Sequence, residues 1–148
     1  MSEQTPQRRL AAILAADVVG YSRLMQADEA GTLARLKDRR SQILKPAVES
    51  HRGRVVKYIG DGVLIEFASA VDAIECAAQL PQTMESANAG LTEDRRIRLR
   101  VGVNLGDVMV EGSDLYGDGV NIASRLEAWP IPGASLCLRQ SSTTFAAR

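Results

Sequence analysis

The apolar and polar positions divide the chain into a short series of strands and helices. Residues 10–19 (LAAILAADVV) form a continuous apolar run broken by one acid, Asp17. Such a run suits a strand buried on both faces, although periodicity alone fits a short buried helix equally. From Asp28 to Ser50 the residues Leu33, Leu36, Ile43, Leu44, Ala47 and Val48 recur at helical spacing among Arg, Lys and Asp, which predicts an amphipathic helix. Residues 54–59 and 63–67 are β-rich runs separated by Gly60-Asp61-Gly62, whose Asp-Gly pair predicts a hairpin. Ser69 and Asp72 offer caps for a second helix bearing Val71, Ile74, Ala77, Ala78 and Leu80, and Pro81 is expected to kink or end it. The polar stretch 85–95 reads as a loop or frayed helix. Residues 97–110 alternate as a fourth strand (Ile97, Leu99, Val101, Val103), with Gly106-Asp107 marking a turn before a further strand. Residues 120–126 return to helical spacing.

The resulting order, β-α-β-β-α-β, is that of an α+β ferredoxin-like sheet with helices on one face and strand 3 antiparallel beside strand 1. That topology brings Asp17 and Asp61 to one edge although 44 residues separate them. Two carboxylates so close repel unless a cation or a shared proton lies between them.

Composition narrows the chemistry. With 148 residues, 45% hydrophobic and 24% charged, the chain is expected to be one soluble globular domain. Eighteen Lys+Arg balance eighteen Asp+Glu, so the basic footprint of a nucleic-acid binder is missing and any phosphate must be held locally. Cys76 and Cys137 form no CxxC pair and His51 stands alone, which suggests neither a disulfide framework nor a zinc site and points to the cytoplasm. The run after the polar residues 1–9 meets Asp17 too soon to span a bilayer or to act as a signal peptide.

Two stretches carry candidate chemistry. In Asp17-Val18-Val19-Gly20-Tyr21-Ser22 an acid ends an apolar strand and a glycine turn leads into a helix, offering N–H groups to an anion beside a carboxylate suited to a divalent cation. Alone, Asp17 reads equally as a helix cap, and Asp61 as an ordinary turn acid. Their convergence favours a pair of Mg²⁺ ions. In the stretch 114–127 (DLYGDGVNIASRLE), Asn121 and Arg125 are four apart on one helix face, so an amide and a guanidinium can address one phosphate together. A calcium loop fails there because Tyr116 and Arg125 stand where oxygen ligands are needed, and the chain has no Walker A sequence.

Four blocks, residues 17–22, 57–62 (KYIGDG), 100–104 (RVGVN) and 114–125, occur in an order and spacing that resembles the catalytic domain of class III nucleotidyl cyclases, the adenylate and guanylate cyclases, most of all the bacterial members. The resemblance runs from about Arg9 to Glu127. It implies that Asp17 and Asp61 bind two Mg²⁺ (or Mn²⁺) ions, with the Val18 backbone near the second and Val18, Val19, Gly20, Tyr21 and Ser22 near the triphosphate. It implies that Arg100 contacts the phosphates, and that Lys57 and Asp114 read the base. A lysine donating to adenine N1 and an aspartate accepting from the N6 amino group mispair with guanine, so the pair argues for ATP. Asn121 then positions the ribose and Arg125 stabilises charge at the α-phosphate. The family pattern also implies a head-to-tail homodimer with shared sites, each taking Asp17, Asp61 and Arg100 from one chain and the other residues from its partner. The implied activity is adenylate cyclase, turning ATP into 3′,5′-cyclic AMP and pyrophosphate. The alternatives are a catalytically silent cyclase-homology module and a guanylate cyclase.

After Glu127 the resemblance is expected to stop. Family members continue with a further strand and helix and a final hairpin bearing a lysine on the triphosphate, for which this chain has no counterpart. The last 21 residues contain no acid whereas the first 127 contain eighteen. The expected organisation is a polar segment 1–9, a cyclase domain 10–128 and a divergent tail 129–148, truncated relative to the family by a frame change near Ala128 or by natural divergence, with the C-terminal strands missing or altered.

Overall fold

A computed structural model describes residues 7–111, 114–116, 136–140 and 143–147, with side chains from 10 to 106. The elements are β1 (Gln7–Val18), α1 (Tyr21–Ala27), α2 (Glu29–Arg39), a π turn (Arg40–Leu44), α3 (Lys45–Ser50), β2 (Gly53–Ile59), β3 (Gly62–Phe67), α4 (Ala70–Asn88), a 3₁₀ turn (Glu93–Arg95), β4 (Leu99–Glu111), β5 (Asp114–Tyr116), β6 (Leu136–Gln140) and β7 (Thr143–Ala147). The sheet runs β2-β3-β1-β4-β6-β7, with β5 paired to β4. Its β2-β3-β1-β4 part is the ferredoxin-like order expected, and β1 is antiparallel to both neighbours.

The helices lie on one face because strand alternation gives them one set of side chains. Ala12, Leu14, Ala16 and Val18 of β1 pack with Ile65 and Phe67 of β3, Leu36 of α2, Val48 of α3 and Ala77 and Leu80 of α4 in one buried cluster. The long helix expected over 28–50 is present, capped by the Asp28 side chain accepting from the Gly31 N–H at 3.0 Å, but a π turn interrupts it. Pro81 does not end α4, which continues through Met84 to Asn88, both buried in the core. That burial outweighs the one helical N–H that proline lacks. Residues 85–88 are therefore helix, and the Asn88 side chain pairs with the Ile97 backbone in both directions, at 2.9 and 3.0 Å.

Two other expectations change. Gly106-Asp107 is not a turn: β4 runs through it while paired with Leu10 and Ala11 of β1, whose ladder continues to Gln7. The tail does not leave the sheet bare, since β6 lies parallel to β4 over 101–105 and β7 folds back on β6. An unpaired stretch of β4 is a template for any extended segment, and the alternating Leu136 and Leu138 with the Thr-rich 143–147 supply two. The helix expected over 120–126 lies outside the described residues. Among the described residues no helix is long and apolar enough to cross a membrane.

Candidate active site

Asp17 stands one step beyond Ala16, which pairs with Val63, so it faces the start of β3. Gly62 makes this approach possible, because a Cβ there would lie 3.2 Å from the carbonyl oxygens of both Ala16 and Ile59. The hairpin is a two-residue loop, Gly60-Asp61, since Ile59 pairs with Gly62. Its conformational demand falls on Gly60, at φ +58°, rather than on the Asp-Gly pair that signals the turn in the sequence. From this loop the Asp61 carboxylate accepts a hydrogen bond from the Val18 N–H at 3.0 Å. The two acids therefore converge at the end of β1, as the topology predicts.

Arg100 is the direct cross-strand partner of Asp17. Its Nε and Nη2 donate to the two oxygens of the Asp17 carboxylate at 3.0 and 3.1 Å, a bidentate pair with side chains 30% and 21% exposed. The arginine assigned to a nucleotide thus neutralises one of the two acids.

Lys57 reaches this side of the sheet through an irregularity. The register shifts between Val55 and Lys57, so that Lys57 pairs with Leu64 instead of Val63. Leu64 belongs to the face opposite the helices, with Ala11, Ile13 and Ala15. The bulge thereby sets Lys57 on the same face as Asp17 and Arg100. Only β3 lies between it and β1, so Lys57 stands two strand spacings across and two residues along from Asp17, on the order of 12 Å.

The turn after Asp17 has the expected form. The Val19 N–H extends the ladder to the Arg98 carbonyl at 2.8 Å, and Gly20, at φ +64°, turns the chain into α1. Tyr21 packs against the main core and Ser22 is exposed. A cavity of about 310 Å³ opens beside the turn, lined by Gly20, Arg23, Arg96 and Arg98 together with Glu93 and Asp94. Arg98 holds Glu93 at 2.7 Å, which keeps that exposed carboxyl below its usual range. Asp114 pairs through its backbone with Glu111. Its side chain, and Asn121 and Arg125, lie outside the described residues.

The donor set fits a hard divalent cation. Two carboxylates and the Val18 backbone offer only oxygens, and among the described residues no third His, Cys, Asp or Glu joins them to close a cage. Such a site leaves positions for water and phosphate oxygens, as Mg²⁺ favours.

Residues 4–137 match the family model of the adenylate and guanylate cyclase catalytic domain. The chain belongs to this family. The match extends past Glu127, where the motifs end, into the tail. A Rhizobium meliloti protein named "Putative adenylate cyclase 3" is 62% identical over 133 residues, 90% of this chain and 23% of that protein. A Streptomyces coelicolor adenylate cyclase is 36% identical over 84% of this chain and 31% of its own length. This cyclase domain thus spans under a third of the length of either relative. Among solved structures, an adenylate/guanylate cyclase/hydrolase from Silicibacter pomeroyi shares 42% identity at TM-score 0.83, covering 90% of this chain and 77% of that one.

Sequence reasoning missed an ion pair on this face of the sheet. Arg54 and Glu66, cross-strand partners, join at 2.9 Å with Glu66 buried. The signal was present in VLIEF, an acid within a buried strand, which needs a partner.

Proposed function

We propose that the domain is an adenylate cyclase that converts ATP to 3′,5′-cyclic AMP and pyrophosphate. The observation that carries this reading is the convergence of Asp17 and Asp61 at the end of β1, with Arg100 on Asp17. Asp17, Asp61 and the Val18 backbone would hold two Mg²⁺ or Mn²⁺ ions. Bound there, the ions supply neutralisation of phosphate charge and an acidified 3′-hydroxyl.

The chain's own groups do the rest. Arg100 exchanges the Asp17 carboxylate for phosphate oxygens, which leaves Asp17 to its cation. Gly20, Tyr21 and Ser22 offer backbone N–H groups to the triphosphate, beside Val18 and Val19, whose N–H groups hold Asp61 and the Arg98 carbonyl. Lys57 donates to adenine N1 and Asp114 accepts from the N6 amino group. Asn121 orients the ribose so that its 3′-oxygen stands in line with the leaving pyrophosphate, and Arg125 offsets charge at the α-phosphate.

Head-to-tail pairing of two chains completes each site, so a lone chain is inactive. The test is cyclic AMP production by the purified chain with ATP and Mn²⁺ or Mg²⁺, alongside its mass in solution. Nucleotide binding without turnover would make it a silent cyclase-homology module instead. Mixing equal amounts of Asp17→Ala and Arg125→Ala chains is expected to restore about a quarter of parental activity, because half the dimers are mixed and each has one intact site. Heterodimers without recovery would overturn the shared site.

A further inference from the structure

The loop bearing Asp61 is closed by the Ile59–Gly62 pair and tied to β1 by the Asp61–Val18 bond. Gly60, at φ +58°, has no atom within 4 Å of where a Cβ would be, so no packing backs that corner. Arg40 supplies the restraint from the helix layer. Its Nη2 donates to the Gly60 carbonyl at 2.7 Å, and its guanidinium lies over the Tyr58 ring, 4.4 Å from the centroid. Tyr58 pairs with Val63, so the ring lies on the helix side of the hairpin. Arg40 and Asp61 also border one small hollow with Leu36, Leu44 and Val63.

A π turn begins at Arg40. The Lys45 N–H bonds the Arg40 carbonyl five residues back, inserting one residue into the helix. An extra residue rotates the rest of the helix by about 100°, which brings Leu44 and Val48 onto the stripe of Leu36 with Arg40 at its border.

We propose that Arg40 is a positioning residue for Asp61: by holding the Gly60 carbonyl and stacking on Tyr58 it keeps the Asp61 carboxylate against the Val18 N–H, where a divalent cation would meet it. The assignment rests on the reading of Asp61 as a metal ligand. Arg40 acts through the Gly60 carbonyl and the Tyr58 ring.

The test uses the full chain with Arg40→Met, which keeps the aliphatic stem, and Arg40→Lys, which keeps a donor. Two quantities are read: amide hydrogen exchange at Val18 in the metal-free chain, and free Mn²⁺ by electron paramagnetic resonance during titration with 3′-deoxy-ATP, which lacks the attacking hydroxyl. Arg40→Met is expected to speed Val18 exchange about tenfold while Ile13 and Leu14 exchange as before. It is also expected to weaken Mn²⁺ binding about tenfold, with Arg40→Lys recovering most of both effects. Tyr58→Leu, which leaves the helix intact, is expected to move both readouts in the same direction by less. Unchanged Val18 exchange in Arg40→Met, or protection lost evenly along β1, would overturn the proposal. Mn²⁺ binding indifferent to Asp61→Ala would instead overturn the metal reading of Asp61, an outcome separable because the exchange measurement uses no metal.

Discussion

The two faces of the same strands do different work. On the helix side, Ala12, Leu14, Ala16 and Val18 of β1 enter an apolar cluster that spans α1 to α4. On the other side, Ala11, Ile13 and Ala15 form a small cluster with Leu64, and the next residue in that row is Asp17. Around it lie Arg100, Lys57 and the Arg54–Glu66 pair. Each large aliphatic buried toward the helices contributes about 1.5–3 kcal/mol, whereas the partly buried Asp17–Arg100 pair sets its Coulombic gain against the desolvation of both charges. Stability is therefore concentrated on one face, which lets the other keep ionic groups whose value lies in what they can bind. Alternation along β1 separates the two roles by a single residue.

The largest expected effect sets adjacent rows of β1 against each other. Asp17→Ala removes a ligand from the proposed metal site and is expected to lower turnover at least about 100-fold, with the unfolding midpoint almost unchanged. Leu14→Ala, three residues away on the other face, is expected to cost about 2–5 kcal/mol of stability while the folded fraction retains its metal dependence. Urea unfolding and Mg²⁺-dependent cyclic AMP formation on both variants check the division. Equal loss of stability in the two would break it.

Next in size is base choice. Lys57 is on the site face only because of the bulge at Val56, and its assigned partner is Asp114. Lys57→Glu combined with Asp114→Cys reverses the donor and acceptor pattern. Each mispaired buried group costs about 1–3 kcal/mol, a factor of about 5 to 150, so the ATP over GTP preference is expected to erode at least about 5-fold. Competition assays with the two nucleotides measure it, and an untouched ATP preference would remove Lys57 and Asp114 from base reading.

Much of the site-bearing fold could be read from the sequence because its signals are local. The apolar run ending at Asp17, the helical spacing after Asp28 and the glycine loop at 60–62 together fix the antiparallel neighbours of β1, and with them the meeting of two acids 44 residues apart. What escaped depends on register or tertiary burial. The bulge that turns Lys57, the π turn that begins at Arg40 and the Arg100 clamp on Asp17 leave no periodic trace, because each is decided by what lies across the sheet or helix interface. Pro81 and Gly106-Asp107 misled for the same reason: Met84 and Asn88 are buried beyond the proline, and the β1 ladder runs through the apparent turn.

A smaller effect is expected where the faces meet. Gly62→Ala places a Cβ 3.2 Å from two backbone carbonyls, neither of which can rotate away. The resulting shift of β3 against β1 is expected to cost about 1–2 kcal/mol and to separate Asp17 from Asp61. Metal affinity is expected to fall more than stability. A Gly62→Ala chain that binds Mn²⁺ as tightly as the parent would show that the close approach at Gly62 does not set the spacing of the acids.

A pH series tests whether the helix face is as dry as its composition suggests. Cys76 of α4 is fully buried in that cluster, and burial pushes its thiol up to about 11 from an ordinary value of 9.0. The neutral form is thus favoured by the fold. Below the unfolded value both states hold the proton and the thiol contributes no pH dependence. Between about 9 and 11 the unfolded chain loses its proton while the folded chain keeps it, so stability falls as pH rises by up to about 1.4 kcal/mol per unit from this group. Unfolding midpoints at pH 8, 9.5 and 11 are therefore expected to decline more steeply in the parent than in Cys76→Ala, the other alkaline titrations being common to both. The difference in slope is the readout, since the alanine also leaves a small cavity that lowers stability equally at every pH. Parallel slopes would mean that water reaches the Cys76 thiol, and that the helix face is less sealed than the opposing rows of β1 imply.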